Sequence, residues 1–248
     1  MPASRHLQNA PITEAIIDFR VKARPEFRAE EFSALKPNLA DRFPTVDERR
    51  GQQYLFAMTE GQSPSSHVQD LGLQGYFFKT TDGKNIAQFR VDGFTFNRLR
   101  PYTSWDELFP LAMELWSLYS SIAVPQVVTR LAIRYINRIP LPPGDITFET
   151  YLRAAPIIPA ELPQTVSSFL TRITIHEPTA DIAAHVTQAL ETHPTDQGLS
   201  VILDIDAFKQ REFVVNDPEI GETLSRLREF KNLIFFGSLT EEILRQFQ

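Results

Sequence analysis

The chain contains no cysteine. Disulfides, thiolate metal sites, iron–sulfur clusters and a cysteine nucleophile are therefore excluded. Glycine is scarce too, with ten residues against eighteen prolines. None of these glycines belongs to a Walker sequence, a dinucleotide fingerprint or a nucleophile elbow, so the loops that cradle phosphates or present a catalytic serine are absent. The histidines are His6, His67, His176, His185 and His193, and no two have the i, i+4 spacing of a helical zinc site. No apolar run approaches the length needed to cross a bilayer. Met1 to Ala10 lacks the apolar core of a signal peptide, and a cytoplasmic location is the expectation.

An excess of positive charge is also missing. Lysine plus arginine number 25 and aspartate plus glutamate 31, a net charge of −6. Non-specific nucleic-acid binding is not expected of such a balance, although a local basic patch is compatible with it. What is present is ordinary globular composition, 42% hydrophobic and 23% charged, over 248 residues. That length suits one large domain or two small ones. Nineteen phenylalanines suggest aromatic-rich sheets.

Periodicity predicts the elements. Glu14 to Val21 alternates as a strand after the turn Asn9-Ala-Pro-Ile12. Phe32, Leu35, Leu39 and Phe43 repeat at helical spacing, with Pro37 as a break. Gln53 to Met58 reads as a short strand and Gly61 to Asp70 as a polar loop. Three strands follow, Gly75 to Lys79, Asn85 to Val91 and Phe94 to Leu99, joined by turns at Thr81-Asp82-Gly83 and Asp92-Gly93. Ser104 and Glu107 form a capping box for a long helix with the stripe Leu108, Leu111, Ala112, Leu115, Leu118 and Tyr119. After the arginine-rich strand Arg130 to Ile139, Asp145 is placed to cap a short helix, Ile146 to Arg153. Val166 to His176, Ile182 to Leu190 and Leu199 to Phe208 read as strands, the middle one being ambiguous with helix. Ile220, Leu224, Leu227 and Phe230 mark a further helix. A last short one runs from about Thr240 to Phe247, with Ser238 and Glu241 as its capping box.

The order predicts an α+β fold built as a tandem pseudo-repeat: strand, helix, three or four strands, helix. Residues 1–124 form one half and 125–248 the other, in a single compact unit. The helices are expected on one face of a curved antiparallel sheet, as in the helix-grip or TATA-binding-protein-like class. That analogy concerns architecture and assigns no function.

The segment Arg130-Leu-Ala-Ile-Arg-Tyr-Ile-Asn-Arg138 is the most distinctive. Alternation puts Arg130, Ala132, Arg134, Ile136 and Arg138 on one face and Leu131, Ile133, Tyr135, Asn137 and Ile139 on the other. The plainer reading is that the arginines pair with acids on neighbouring strands, for which Glu14, Asp18, Asp204 and Asp206 are available. The functional reading is a site for a nucleotide, phosphate or carboxylate held by forked guanidiniums. Arg20, Arg90 and Arg98 could join it, with Phe94 and Phe96 stacking on a base. Tyr135 and Trp105, the latter at the head of the long helix, complete the candidate ligand-binding set. Asp204 and Asp206, two apart on one strand face, are a weaker candidate magnesium pair.

The chain resembles a sporadically distributed bacterial family of about this length, for which no activity is established. The resemblance rests on Asn9-Ala-Pro-Ile-Thr-Glu-Ala15, on Pro101-Tyr102 with Trp105, and on Arg134-Tyr-Ile-Asn-Arg-Ile139. Leu203-Asp-Ile-Asp206 and the closing helix with Phe235-Phe236 add to it. It covers essentially the whole chain and supplies no catalytic residues. It implies accessory genes, with phage defence as a setting.

The sequence therefore favours a non-catalytic binding or interaction protein without a cofactor. It would recognise an anionic small molecule or nucleotide, or a genetically linked effector protein, and a homodimer is compatible with it. One alternative is a metal-dependent nuclease or phosphodiesterase using Asp204 and Asp206. Another is a structural subunit whose contact surface is the aromatic tail with Phe235, Phe236 and Phe247.

Overall fold

The computed structural model describes residues 7–57, 65–142, 147–192 and 198–248. The expected helix cap Asp145, its neighbour Ile146, the loop residues Ser63 and Pro64, and His6 and His193 lie outside the described residues. The described strands form one nine-stranded sheet in the order β2-β3-β4-β5-β1-β6-β9-β8-β7. Every neighbouring pair is antiparallel.

The sheet is organised around β1 (Ile12–Lys22) and β6 (Val127–Pro140), which pair at its centre with Phe19 opposite Leu131, Ile17 opposite Ile133 and Ala15 opposite Tyr135. These six residues are buried and share the face that the helices cover. One flank runs outward through β5 (Gly93–Leu99), β4 (Asn85–Arg90), β3 (Ser65–Lys79) and β2 (Thr45–Ala57). The other runs through β9 (Leu199–Lys209), β8 (Ile182–Thr192) and β7 (Leu170–Glu177). The segment ambiguous between strand and helix is thus strand β8.

The Phe32, Leu35, Leu39 and Phe43 spacing produces a 3₁₀ turn (Ala29–Ala34) followed by the short helix α1 (Leu35–Leu39). All four residues are buried, and Pro37 falls in the first turn of α1, where its missing N–H costs no helical bond. α2 (Trp105–Ala123) begins at Ser104, whose Oγ accepts from the Glu107 amide at 3.2 Å. Its inner face enters an aromatic core. Trp116 stacks on Phe19 at 4.2 Å between centroids, and Phe94, Phe89 and Phe32 surround Tyr119. α3 (Glu219–Ser238) lies over β6 and β9 and is longer than its predicted stripe, because Ile234 and Phe235 continue the buried face. α4 (Glu241–Leu244) and a 3₁₀ turn (Arg245–Phe247) close the chain.

Three expectations are corrected. The polar stretch read as a loop contributes residues 65–70 to β3, which pairs with β2 along a long hairpin. Where side chains are described there, at Gln52, Gln53 and residues 68–70, they are exposed, no apolar alternation marks the stretch, and backbone pairing with β2 defines it. The short helix expected between Asp145 and Arg153 is, within the described residues, a 3₁₀ turn at Phe148–Thr150. Ser238 does not cap α4. It remains the last residue of α3, and its hydroxyl donates to the Ile234 carbonyl at 2.7 Å. Among the described residues no helix is long and apolar enough to cross a membrane.

Candidate functional site

The face of the sheet away from the helices carries most of the candidate arginines. A row across six strands reads Arg49, Gly75, Arg90, Gly93, Arg20, Arg130. Both glycines have φ near +153° and are needed there. A Cβ at Gly75 would lie 2.1 Å from the Phe89 carbonyl oxygen, and one at Gly93 would lie 2.0 Å from that of Phe19. Asp18 is the hub of this row. It accepts from Arg90 at 3.2 Å, Arg20 at 3.1 Å and the Thr95 hydroxyl at 2.6 Å, with Arg130 at 3.6 Å. Arg20 and Arg90 also reach Asp92, at 2.6 and 3.1 Å. Arg130 forks onto Asp206 at 2.8 and 2.9 Å and covers the Phe208 ring. Arg134 forks onto Asp204, which holds its guanidinium above the ordinary arginine range, and Arg138 meets Glu191 at 2.9 Å.

Apart from Arg49, which makes no ion pair among the described residues, the arginines of this face are matched to carboxylates, Asp18, Asp204 and Asp206 among them. Those two β9 acids spend their oxygens on guanidiniums. Among the described residues no group of three histidines, aspartates or glutamates comes together as a metal site. The face expected to mix Arg90, Arg98, Arg134, Phe94 and Phe96 does not exist. The two-residue turn at Asp92 sets Phe89 opposite Phe94 and Arg90 opposite Gly93. Phe94, Phe96 and Arg98 therefore point toward the helices and Arg90 points away. Arg98 binds Asn85 and approaches Thr103 and Glu107.

Tyr135 and Trp105 are separated from the arginine row by the thickness of the sheet. Both line a cavity of about 330 Å³ on the helix side, between the N-terminal segment, the start of α2, β6 and α3. Four of the five segments singled out in the sequence meet here. Ala10 and Ile12 come from the first, Tyr102 and Trp105 from the second, Tyr135 and Asn137 from the third, and Phe235 and Phe236 from the closing helix. Asn137 is fixed by donating to the Leu203 carbonyl at 2.9 Å, so the fifth segment supports the wall from behind. Leu7 and Gln8 flank the mouth, and Asn9 ties this segment to Phe247 by a 3.0 Å backbone bond.

The cavity floor is a tyrosine pair. The Tyr102 and Tyr135 rings meet edge-on at 5.5 Å, with hydroxyls 3.2 Å apart. Burial raises both above the ordinary tyrosine range. Two cations from α3 look onto the aromatic walls. Arg228 lies 5.4 Å from the centroid of Trp105, and the Lys231 ammonium lies 3.9 Å from that of Tyr135. Lys231 is 8% exposed, and among the described residues neither cation makes an ion pair. Burial, reinforced by the neighbouring charge of Arg228, pushes the Lys231 amine down to about 7.

Lys231 and Arg228 were not among the candidates from the sequence. The signal was available: Ile220, Leu224, Leu227, Lys231 and Ile234 fall on one helical stripe, and a lysine in an apolar stripe is anomalous. Compared with known proteins, the chain matches no family model, no curated protein and no solved structure. The functional reading therefore rests on geometry.

Proposed function

We propose that the protein is a binding protein that takes a small planar anion into the cavity beneath α3. The observation that carries this reading is the pair Arg228 and Lys231, which face the cavity and make no ion pair among the described residues, with Asp106 in the same lining, whereas the arginines of β6 are all matched by acids. A desolvated cation without a counter-ion is costly and accommodates an anionic guest. The aromatic walls suit a ring, and the volume is at the small end for ligand sites, so one ring with one acidic group fits better than a dinucleotide. The arginine face serves as scaffold in this reading, and the nuclease alternative loses its carboxylates to Arg130 and Arg134. The aromatic tail is not a free contact surface, since Phe235 and Phe247 are buried and Phe236 is half-buried.

The same reading takes the fold as a tandem pseudo-repeat of helix-grip type. Supporting it, each half begins with the strand nearest the sheet centre and then fills outward in reverse order, and each ends in a long helix on the shared face. The second half has one strand fewer. A cavity between helix and sheet is in keeping with that class. A cytoplasmic setting, and an accessory or defence-linked role beside an effector, belong to this proposal as well.

Titration of the protein with terephthalate, phenyl phosphate and adenosine monophosphate tests it, with Trp105 fluorescence as the readout. A saturable change that is lost in Arg228→Met and kept in Arg134→Met is expected. No saturable binding of any of the three would sink the proposal.

A second reading, contact with a partner protein, is favoured by edge strand β7. Leu170 and Ile173 are 73% and 54% exposed there, and one side of its backbone is unpaired among the described strands. Ile173→Lys should abolish any concentration-dependent self-association seen by sedimentation. A sedimentation profile that Ile173→Lys leaves unchanged removes β7 as a self-association surface.

A further inference from the structure

We infer that Lys231 is a carbonyl-capturing amine, which condenses with an aldehyde or ketone group of the anionic guest to form an imine. This deepens the pocket reading by naming the reactive group of the ligand. Three features of the site converge on it.

The first is the setting of Nζ. The side chain stands over the Tyr135 ring and not beside a carboxylate, and it is enclosed by the apolar stripe of α3. The other lysines are placed differently. Lys79 pairs with Asp47 at 2.6 Å, Lys84 and Lys209 approach Asp82 and Asp181 at 3.9 Å, and Lys36 lies over the Tyr76 ring near the surface. Lys22 is exposed.

The second feature is Arg228, one helical turn before Lys231. Its positive charge opposes a second one on the same face, and burial acts in the same direction. Desolvation beside another cation is a known way to make a lysine nucleophilic near neutral pH. Arg228 in turn is free to hold the acidic group of the guest. Side chains at i and i+3 are about 5–6 Å apart at their Cβ atoms, so anion and carbonyl can sit at opposite ends of a single ring.

The third is access. The cavity provides room on the open side of Nζ, and the Tyr102–Tyr135 hydroxyl pair lies at its floor. The step balances without an oxidant or reductant. The nitrogen lone pair attacks the carbonyl carbon, and one amine hydrogen passes to the oxygen to give a carbinolamine. Loss of water, carrying the second amine hydrogen, leaves the C=N bond.

The test uses 4-carboxybenzaldehyde with sodium cyanoborohydride at pH 7, read by intact mass and peptide mapping. About half of an amine titrating near 7 is free at that pH, against about a thousandth of an ordinary lysine. The expected result is one reduced adduct at Lys231, formed on the order of a hundredfold faster than at any surface lysine. It should be absent in Lys231→Met and slowed by terephthalate, in which a second carboxylate replaces the aldehyde. Labelling spread evenly over the surface lysines, or an unchanged yield in Lys231→Met, overturns the inference. Should that variant not fold, terephthalate protection in the unmodified protein decides. If terephthalate binds but Lys231 is never labelled by the aldehyde, imine capture is wrong and the pocket stands. If Lys231 is labelled but terephthalate neither binds nor protects, the amine is reactive and the anion-binding proposal is what fails.

Discussion

Strand β6 presents two solutions to placing charge on a sheet. On its outer face, Arg130, Arg134 and Arg138 each find a carboxylate, on β9 or β8, and the row extends through Arg20 and Arg90 to the shared acid Asp18. On its inner face, Tyr135 supports Lys231 with a ring and no counter-ion. The outer arrangement is what a chain does with cations it needs for architecture: geometry is fixed, charge is neutralised, and little is left for a ligand. The inner one leaves charge unbalanced where water is scarce, which destabilises the fold and is tolerated where a guest can complete it. In the binding reading proposed above, the conspicuous arginines are scaffold, and a single lysine on a helix carries the chemistry.

The largest break in this comparison comes from Asp18→Asn. Asp18 and Arg90 are 9% and 5% exposed, and removing the acid leaves Arg90, Arg20 and Arg130 crowded without their common partner. Breaking a buried pair from one side costs about 3–5 kcal/mol. Urea denaturation should show the unfolding free energy lowered by that amount, with cavity binding in the folded fraction unchanged. A loss below about 1 kcal/mol would mean that the outer network is not a buried structural unit.

Lys231→Met should move stability in the opposite direction. The folded protein holds the amine at about 7, below its ordinary value near 10.4 in the unfolded chain. Between these values the unfolded chain binds more protons, so stability of the unmodified protein rises with pH across that window. The penalty is complete below about pH 7 and fades toward pH 10. The groups facing Nζ do not mask it. Arg228 stands one helical turn away, Tyr102 and Tyr135 are held above the ordinary tyrosine range by burial, and Asp106 lines the same cavity from α2. Methionine should therefore stabilise by about 2 kcal/mol at pH 6 and by little at pH 10, measured by urea midpoints across pH. A pH-independent effect would show that Lys231 is charged and satisfied in the folded state.

Much of the architecture was legible because alternation and capping are local. The inward set Leu131, Ile133, Tyr135, Asn137 and Ile139 follows from parity alone, and all five are buried. Ser104 caps α2 as its spacing from Glu107 predicts. Parity also held the answer for Arg98, since a two-residue turn after Arg90 fixes which of the β5 residues share a face with it. On the β2–β3 hairpin the strand at Gln53 was legible, whereas residues 65–70 of β3 were not, because backbone pairing supplies them and no side-chain pattern in the sequence marks them. The cavity was hardest to see. Its walls come from four segments spread between Leu7 and Phe236, and they meet only because α3 packs over β6, a placement the sequence does not specify. Tyr135 and Trp105 were candidates from the sequence, but the lysine misplaced in the α3 stripe was the signal left unread.

Arg134→Met sharpens the contrast with a smaller effect. Its side chain is 45% exposed while that of Asp204 is 17% exposed, so the pair is only partly removed from water. Loss of a pair in such surroundings costs about 0.5–1 kcal/mol. The denaturation midpoint should fall slightly, and the affinity of the cavity for terephthalate should not change. Loss of binding with intact stability would move the ligand site to the arginine face.

The smallest effect is expected at the end of the outer row, in Arg49→Gln. Arg49 shares that face but makes no ion pair among the described residues. Burial and the nearby charge of Arg90 both disfavour its cation, and Asp92 offsets them only in part. Four arginines thus share the row with the three acids Asp18, Asp92 and Asp206. Removing the one in excess should change stability by less than about 0.5 kcal/mol, with the sign toward stabilisation. The gain should be larger at low salt, where repulsion among exposed charges is least screened. Urea midpoints at two ionic strengths test this. A loss above about 1 kcal/mol at either salt would place Arg49 among the structural cations and end the view that the row carries one charge more than it uses.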